Sequence, residues 1–184
     1  SVKLFIKNMV CARCIKSVTG IFRSVDADLK SIKLGVAEIE EILSQEKLGR
    51  FKKMLEEEGF ALIDDSRMKL VENIKNLIVE LVHYKDLDEM KENLSDFLSK
   101  QLHKDYNYLS NLFSSVENTT IEQYFILQKI EKVKEWLVYD QLTLSEMAFK
   151  LNYSSVAHLS WQFKKITGFT PSQFKKLKEH NRTK

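Results

Sequence analysis

Two stretches of this chain, YLSNLFSSVENTTIEQY at residues 108–124 and HLSWQFKKITGFTPSQF at residues 158–174, repeat one pattern fifty positions apart. The positions that match are apolar residues and helix ends, whereas the polar positions between them differ. The matched pairs are Leu109 with Leu159, Ser110 with Ser160, Phe113 with Phe163, Val116 with Ile166, Asn118 with Gly168, Thr120 with Thr170, Gln123 with Gln173 and Tyr124 with Phe174. A repeat of this kind predicts two successive copies of one supersecondary unit.

Each copy is predicted to consist of a short helix, a tight turn and a second, amphipathic helix. In the later copy Thr143 begins the first helix with a capping box, Asn152 takes the left-handed turn, Ser154 or Ser155 caps the second helix and Gly168 ends it. Residues 120–139 are predicted to join the copies as one helix. This pattern indicates a helix-turn-helix, in which the second helix is free to enter a DNA major groove. A helical bundle without a nucleic-acid role is the alternative, because bundles use the same geometry.

The charge is distributed unevenly along the chain. The whole sequence has a net charge of +3, but residues 141–184 hold 8 Lys and Arg against 2 Asp and Glu, whereas residues 85–140 hold 7 against 11. A basic end that includes a helix-turn-helix is the expected signature of a phosphate-binding surface. The alternative for the lysine-rich end is a solvated terminal helix. The first copy lies in the acidic stretch.

Composition excludes several classes of protein. No apolar run approaches the roughly 20 residues that span a bilayer, and no signal-peptide pattern is visible, so a cytoplasmic location is the default expectation. The only cysteines are Cys11 and Cys14, which do not form the framework of a disulfide-rich secreted domain. No phosphate loop, nucleophile motif or paired-carboxylate site is present, so the chain is not predicted to be an enzyme.

The first third of the chain reads as a small mixed domain. The predicted order is β-α-β-β-α-β, the ferredoxin-like plan, with strands at 2–7, 31–35, 36–40 and 60–63 and helices at 11–24 and 44–58. The polar segment Asp64–Arg67 is the predicted boundary, and a helix is predicted over 68–83. The fold class is therefore α+β, with a domain at 1–65 followed by an all-α domain at 66–184.

Residues 142–176, LTLSEMAFKLNYSSVAHLSWQFKKITGFTPSQFKK, resemble the AraC-type transcriptional regulators, above all in Phe163-Lys-Lys-x-x-Gly-x-x-Pro171. The resemblance covers about Asn93–Lys176. It implies a DNA-binding domain with helix-turn-helix units at 93–118 and 143–168 and recognition helices at 105–115 and 155–167. Double-stranded DNA is the implied partner. Contact with RNA polymerase and a dimeric state are compatible with this reading and are left open.

The resemblance also places candidate DNA-contacting residues. The groove-facing candidates are Tyr106, Asn107, Ser110 and Asn111 in the first copy and Val156, Ala157, His158, Ser160 and Trp161 in the second. Asparagine pairs with adenine, and valine or alanine contacts the thymine methyl group. The phosphate-binding candidates, which orient the protein without reading sequence, are Lys164, Lys165, Lys175 and Lys176.

Three departures from the family pattern qualify these roles. Asn152 stands at the usual glycine of the second turn, and Trp161 stands where a polar residue is common. The first recognition helix has no basic residue, so we expect the second copy to contribute more affinity. For Trp161 and His158 the alternative role is half-buried packing against the neighbouring unit.

Cys11 and Cys14 follow the first predicted strand and open the first helix. A helix N-terminus lowers a thiol pKa, and two thiolates three residues apart suit a soft ion, Cu(I) or zinc. The stretch NMVCARC resembles the heavy-metal-associated domain, with Asn8 in place of its loop glycine. The resemblance implies Cys11 and Cys14 as metal ligands. A redox-active disulfide pair, an inert pair and binding of another ligand are the alternatives.

The sequence thus predicts a sequence-specific DNA-binding transcription regulator that responds to a thiophilic metal ion. The coupling hypothesis is that metal capture orders the loop at residues 9–14 and changes how the sensor sits on the helix at 68–83. A metal chaperone or buffer protein with a helical interaction domain is the first alternative. A module that binds another protein is the second, although such a module has no reason for a basic end after a helix-turn-helix.

Overall fold

The computed structural model describes residues 1–139 and 141–182; positions 140, 183 and 184, which fall in the predicted DNA-binding domain, lie outside the described residues. The first elements are β1 Val2–Lys7, α1 Ala12–Ser24, β2 Leu29–Lys33, β3 Val36–Ile39, α2 Gln45–Glu57 and β4 Ala61–Ile63. The later ones are α3 Asp65–His83, a short 3-10 helix Leu87–Glu89, α4 Leu94–Leu102, α5 Tyr106–Glu117, α6 Ile121–Tyr139, α7 Leu144–Lys150, α8 Val156–Thr167 and α9 Pro171–Arg182. The prediction of an α+β chain with the strands first is confirmed.

The four strands form one antiparallel sheet in the order β2-β3-β1-β4. The predicted hairpin is present, but its first strand begins at Leu29 and not at Ser31. Leu29 pairs with Ile39, and an irregularity between Leu29 and Ser31 restores the register. This bulge interrupts the simple alternation of apolar and polar residues, so the start of the strand is not visible as a two-residue pattern.

Helices α1 and α2 cover the sheet and close its core. Phe22 of α1 and Phe51 of α2 are fully buried, with ring centroids 4.4 Å apart. An aromatic pair at this distance adds about 1 kcal/mol to the gain from burial. Gly59 ends α2 with a φ of 86°, a conformation that L residues rarely adopt. Glycine therefore suits the end of α2.

Helix α3 begins at Asp65, three residues before the predicted start. The Asp64 carboxylate accepts hydrogen bonds from the backbone N–H of Arg67 at 2.8 Å and from the Ser66 hydroxyl at 2.6 Å. These bonds lower the pKa of Asp64, and the bond from Arg67 satisfies a backbone N–H that a helix start leaves unpaired. The polar segment predicted as a break is therefore a helix cap and first turn. Whether the domains divide at 65 and 66 stays a prediction.

The repeat found in the sequence is also a repeat of burial. Leu109 and Leu159 are fully buried, and so are Phe113 and Phe163. Asn118 and Gly168 both adopt left-handed backbone, with φ of 57° and 84°. The two copies therefore use their matched residues in the same structural roles, as predicted.

The chain divides into two compact units. One consists of Ser1–Asn73 together with Asn107–Thr120, which includes most of α5. The other contains Ile74–Tyr106 and the segment from Ile121 onward. Among the described helices, none has the length and apolar character needed to cross a membrane.

Candidate nucleic-acid interface and cysteine pair

Helix α8 has one buried side and one exposed side. Leu159 and Phe163 are fully buried, because α8 packs against α6, α7 and α9. The exposed positions recur at the three- and four-residue spacing of one helix face and are Ala157, His158, Trp161, Lys164 and Lys165. Val156 and Ser160 are partly buried at its margins. All seven groove and phosphate candidates of α8 therefore lie on or beside one exposed surface.

The start of α8 is fixed by two polar residues. The backbone N–H of His158 donates to the Ser155 hydroxyl oxygen at 3.0 Å, so Ser155 is the cap. The His158 ring is paired with Ser154 Oγ through Nδ1 at 3.2 Å and lies edge-on to Tyr153, with centroids 5.2 Å apart. The exposed His158 is therefore held in place before any ligand arrives.

Asn152 has two roles in the turn before α8. It takes a φ of 58°, as predicted for the turn, and its side-chain amide donates to the carbonyl oxygen of Leu87 at 2.6 Å. Glycine supplies the first role but not the second. The departure from the family's usual glycine therefore adds a hydrogen bond, of a kind worth about 1 kcal/mol.

Trp161 is 59% exposed, so half-buried packing does not account for it. The ammonium group of Lys165 lies 4.9 Å from the centre of its ring, within cation–π range. This contact orders two long side chains on the exposed face of α8. On α9, Lys176 is exposed and Lys175 is partly buried. The DNA roles of these residues stay predictions.

Helix α5 presents a less basic surface. Its buried side is formed by Leu109, Leu112 and Phe113. Asn107 and Asn111 are exposed one turn apart, and Ser110 is partly buried. The hydroxyl of Tyr106 donates to the carboxylate of Glu122, and burial with this bond raises the Tyr106 pKa. Tyr106 is therefore tied to the start of α6, whereas the two asparagines and Ser110 keep the predicted position.

Sequence analysis did not identify Lys129, which contacts the turn of the second helix-turn-helix. Lys129 of α6 is partly buried, with its ammonium group 4.2 Å from the ring centre of Tyr153 and 5.0 Å from that of Phe125. The Tyr153 hydroxyl in turn donates a hydrogen bond to Gln162 Oε1 of α8, with the two oxygen atoms 2.5 Å apart. Lys129 could have been recognised from the sequence, because Phe125, Lys129 and Val133 are spaced four residues apart and therefore lie on one face of α6.

Burial lowers the pKa of Lys129 to about 8, and this makes stability pH-dependent. Between pH 8 and the usual lysine pKa near 10.4 the unfolded chain binds more protons than the folded one, so stability rises with pH there. We expect Lys129 to contribute a rise of about 2 kcal/mol in the free energy of unfolding between pH 7.5 and 9.5. Urea unfolding at several pH values measures it.

Lys129→Met is the matched variant, since methionine keeps the length and removes the charge. The lowered Cys14 pKa gives a slope of the same sign, so the quantity to compare is the difference between wild type and Lys129→Met. Equal slopes in the two proteins would contradict the prediction.

The two cysteines lie where the sequence placed them, at the start of α1. Cys11 is exposed, Cys14 is partly exposed and their Sγ atoms are 3.7 Å apart. Backbone hydrogen bonds at Val10 and Cys11 lower the pKa of the Cys14 thiol. Among residues 1–139 and 141–182, no group of three or more His, Cys, Asp or Glu side chains is placed to hold a metal ion.

Comparison with known proteins identifies the helical part. Residues 98–177 match a family model described as a helix-turn-helix domain. The uncharacterized HTH-type transcriptional regulator YtdP of Bacillus subtilis strain 168 is 27% identical over 107 residues. The match covers 58% of this chain but only 13% of the relative.

Two solved structures share the fold of this region. A Chromobacterium violaceum transcriptional regulator described as AraC-type has a TM-score of 0.53 and 13% identity, over 62% of this chain and 96% of that one. The DNA-binding domain of AdpA, a global transcriptional factor solved with a target DNA, has a TM-score of 0.52 and 15% identity, again over 62% and 96%.

The chain therefore contains a helix-turn-helix domain. Its fold is shared with the regulator described as AraC-type, and the resemblance of residues 142–176 to that family stays a prediction. A helix-turn-helix match over residues 98–177 agrees with the prediction that the chain is not an enzyme. These comparisons concern the helical part. The resemblance of the first 65 residues to the heavy-metal-associated domain stays a prediction.

Proposed function

We propose that this chain is a transcription regulator that binds specific double-stranded DNA sites through two helix-turn-helix copies. The single observation that carries the proposal is the exposed face of α8. It holds Lys164 and Lys165 beside Trp161 and His158, while the opposite face is buried. A basic helix face of this kind suits a major groove flanked by phosphates.

The AdpA domain supports the proposal, because it shares the fold and was solved with a target DNA. The two copies are expected to contribute unequally, since α5 exposes asparagine and serine but no lysine or arginine. Contact with RNA polymerase, a dimeric state and a cytoplasmic location stay predictions.

Selection of bound genomic fragments tests this function. The protein should retain a small set of fragments that share a motif, and competitor DNA should not displace them. The affinity should fall steeply with salt, because each phosphate contact releases counterions. Retention without a shared motif, or affinity that does not depend on salt, would contradict the proposal.

We further propose that the first domain is a ferredoxin-like sensor and that Cys11 and Cys14 hold a thiophilic ion. The strand and helix order and the sheet order β2-β3-β1-β4 agree with that plan. The donor set fits the ion, because two thiols 3.7 Å apart at the start of a helix face solvent together. Two thiolates suffice for Cu(I), whereas zinc would need two more ligands.

Titration of Cu(I) and zinc into wild type and into Cys11→Ser, Cys14→Ser tests the sensor. Wild type should bind one Cu(I) and the double variant none, and equal stoichiometry would remove the metal role. The rival chaperone function makes a different prediction. A chaperone would transfer copper to a partner and would have no affinity for DNA.

A further inference from the structure

The loop that carries the cysteines is anchored at two points. Asn8 has a left-handed φ of 72° and its side-chain amide donates to the carbonyl oxygen of Gly59 at 3.1 Å. The Met9 side chain is 2% exposed and belongs to the core under the sheet. The carbonyl oxygen of Met9 accepts from the side-chain amide of Asn118, with the two atoms 3.5 Å apart.

Asn118 ends α5, the first predicted recognition helix. Its backbone N–H donates to the carbonyl oxygen of Ser114 at 3.0 Å, and its φ of 57° turns the chain out of the helix. Its counterpart in the second copy is Gly168, which ends α8 with a φ of 84° and also donates to the carbonyl four residues back. Asparagine and glycine thus perform the same backbone role.

The difference between the copies lies in the side chain. Glycine is the residue that this backbone conformation prefers, and asparagine tolerates it. Asn118 therefore does not optimise the helix end, but it supplies an amide that reaches the cysteine loop. The compact units show the same asymmetry, since residues 107–120 group with residues 1–73 whereas the second copy does not.

We propose that Asn118 couples the cysteine site to the first recognition helix, so that a thiophilic ion on Cys11 and Cys14 changes DNA affinity through the Met9 carbonyl. This inference rests on the proposed sensor and DNA-binding functions. Met9 lies two residues before Cys11, so an ion that fixes the cysteine loop also fixes the acceptor of the Asn118 amide. The hypothesis from sequence placed the coupling in the helix at 68–83, whereas this contact leads directly to α5.

The test measures DNA affinity of the full chain with and without Cu(I) in wild type, Asn118→Gly and Asn118→Asp. Glycine copies position 168 and keeps the left-handed turn, while aspartate keeps the turn and replaces the donor by an acceptor. Buffered Cu(I) should change the wild-type Kd for the selected site at least fivefold. In both variants the change should fall below twofold, while Cu(I) affinity stays within twofold of wild type.

Reciprocity gives a second readout that does not depend on the DNA assay. If Cu(I) changes DNA affinity by a given factor, the DNA site must change Cu(I) affinity by the same factor. The change should be present in wild type and lost in Asn118→Gly. Because aspartate tolerates the same backbone, Asn118→Asp keeps the test valid should glycine loosen the helix end.

The outcomes separate the inference from the functions on which it rests. Failure of wild type to bind Cu(I) would overturn the sensor and the coupling together. Binding of Cu(I) and DNA without mutual effect would overturn the coupling alone. Full coupling in Asn118→Gly and Asn118→Asp would overturn the role of Asn118.

Discussion

Lys164→Glu, Lys165→Glu should weaken binding to the selected DNA site about 100-fold at 0.15 M salt, because it removes two counterion-releasing contacts and adds two repulsive charges. Both lysines are exposed in the last turns of α8, so the change has no buried partner to disturb. The plot of log affinity against log salt should also become shallower by about 2. Fluorescence anisotropy over a series of salt concentrations measures both quantities.

Lys52→Glu, Lys53→Glu is the matched control. These two lysines are also adjacent and exposed, but they lie on α2 in the unit that contains the sheet. The control makes the same change in net charge, so it measures the long-range effect of charge alone. If it weakens binding as much as the α8 variant, Lys164 and Lys165 are not phosphate ligands.

The single variants divide the effect between the two lysines. The ammonium group of Lys165 lies over the Trp161 ring, whereas no ring contact is seen for Lys164 among the described residues. Lys164→Glu should therefore change affinity alone. Lys165→Glu should also change the environment of Trp161, which tryptophan fluorescence of the free protein reports.

Sequence patterning predicted the parts of this molecule that depend on local periodicity and helix ends. The exposed face of α8 follows from the spacing of Leu159 and Phe163, and the Thr170 cap with Pro171 follows from four consecutive residues. In the structure the backbone N–H of Thr170 donates to Gln173 Oε1 at 2.9 Å, and that of Gln173 donates to Thr170 Oγ1 at 3.2 Å. This is a reciprocal capping box, with proline at the first helical position and glutamine at the third.

The features that sequence analysis missed depend on residues far apart in the chain. The Asn118 amide meets a carbonyl 109 positions earlier, and the Asn152 amide meets Leu87, 65 positions earlier. Local propensity explains why asparagine is tolerated at both turns, but it cannot identify the acceptor. The internal repeat did contain a clue, because a glycine at position 168 shows that asparagine at position 118 is not required by the turn.

Lys129 was missed for a related reason. A lysine within a row of apolar helix positions is usually taken as a sign that the buried face of the helix has been assigned wrongly. Here the faces of the Phe125 and Tyr153 rings interact favourably with the ammonium charge of Lys129. This interaction offsets part of the free-energy cost of removing the charge from water. The Tyr153 ring comes from the second helix-turn-helix, so α6 alone does not contain the explanation.

Phe163→Ala should lower the free energy of unfolding by about 4 kcal/mol, within the range for removing a buried aromatic side chain. Phe163 is fully buried, and its ring lies edge-on to Phe174 with centroids 5.5 Å apart. Its loss removes the contact that holds α8 against α9. Such a loss is a large share of the roughly 5–15 kcal/mol that stabilises a typical domain. Urea unfolding followed by circular dichroism measures it, and DNA binding should be lost at the same time.

Two further variants make this result specific to the repeat. Phe149→Ala on α7 removes the same side chain at a position that is 69% exposed, so it should change stability by no more than about 0.5 kcal/mol. Phe113→Ala removes the counterpart of Phe163 in the first copy, which is equally buried, and should cost about 4 kcal/mol as well.

The two buried variants should differ in their residual DNA binding, since α5 is the less basic recognition helix. Under conditions in which the protein is still folded, Phe163→Ala should abolish DNA binding. Under the same conditions Phe113→Ala should leave weak, salt-sensitive binding through α8. Equal residual DNA binding in both variants would contradict the unequal division of affinity between the two copies.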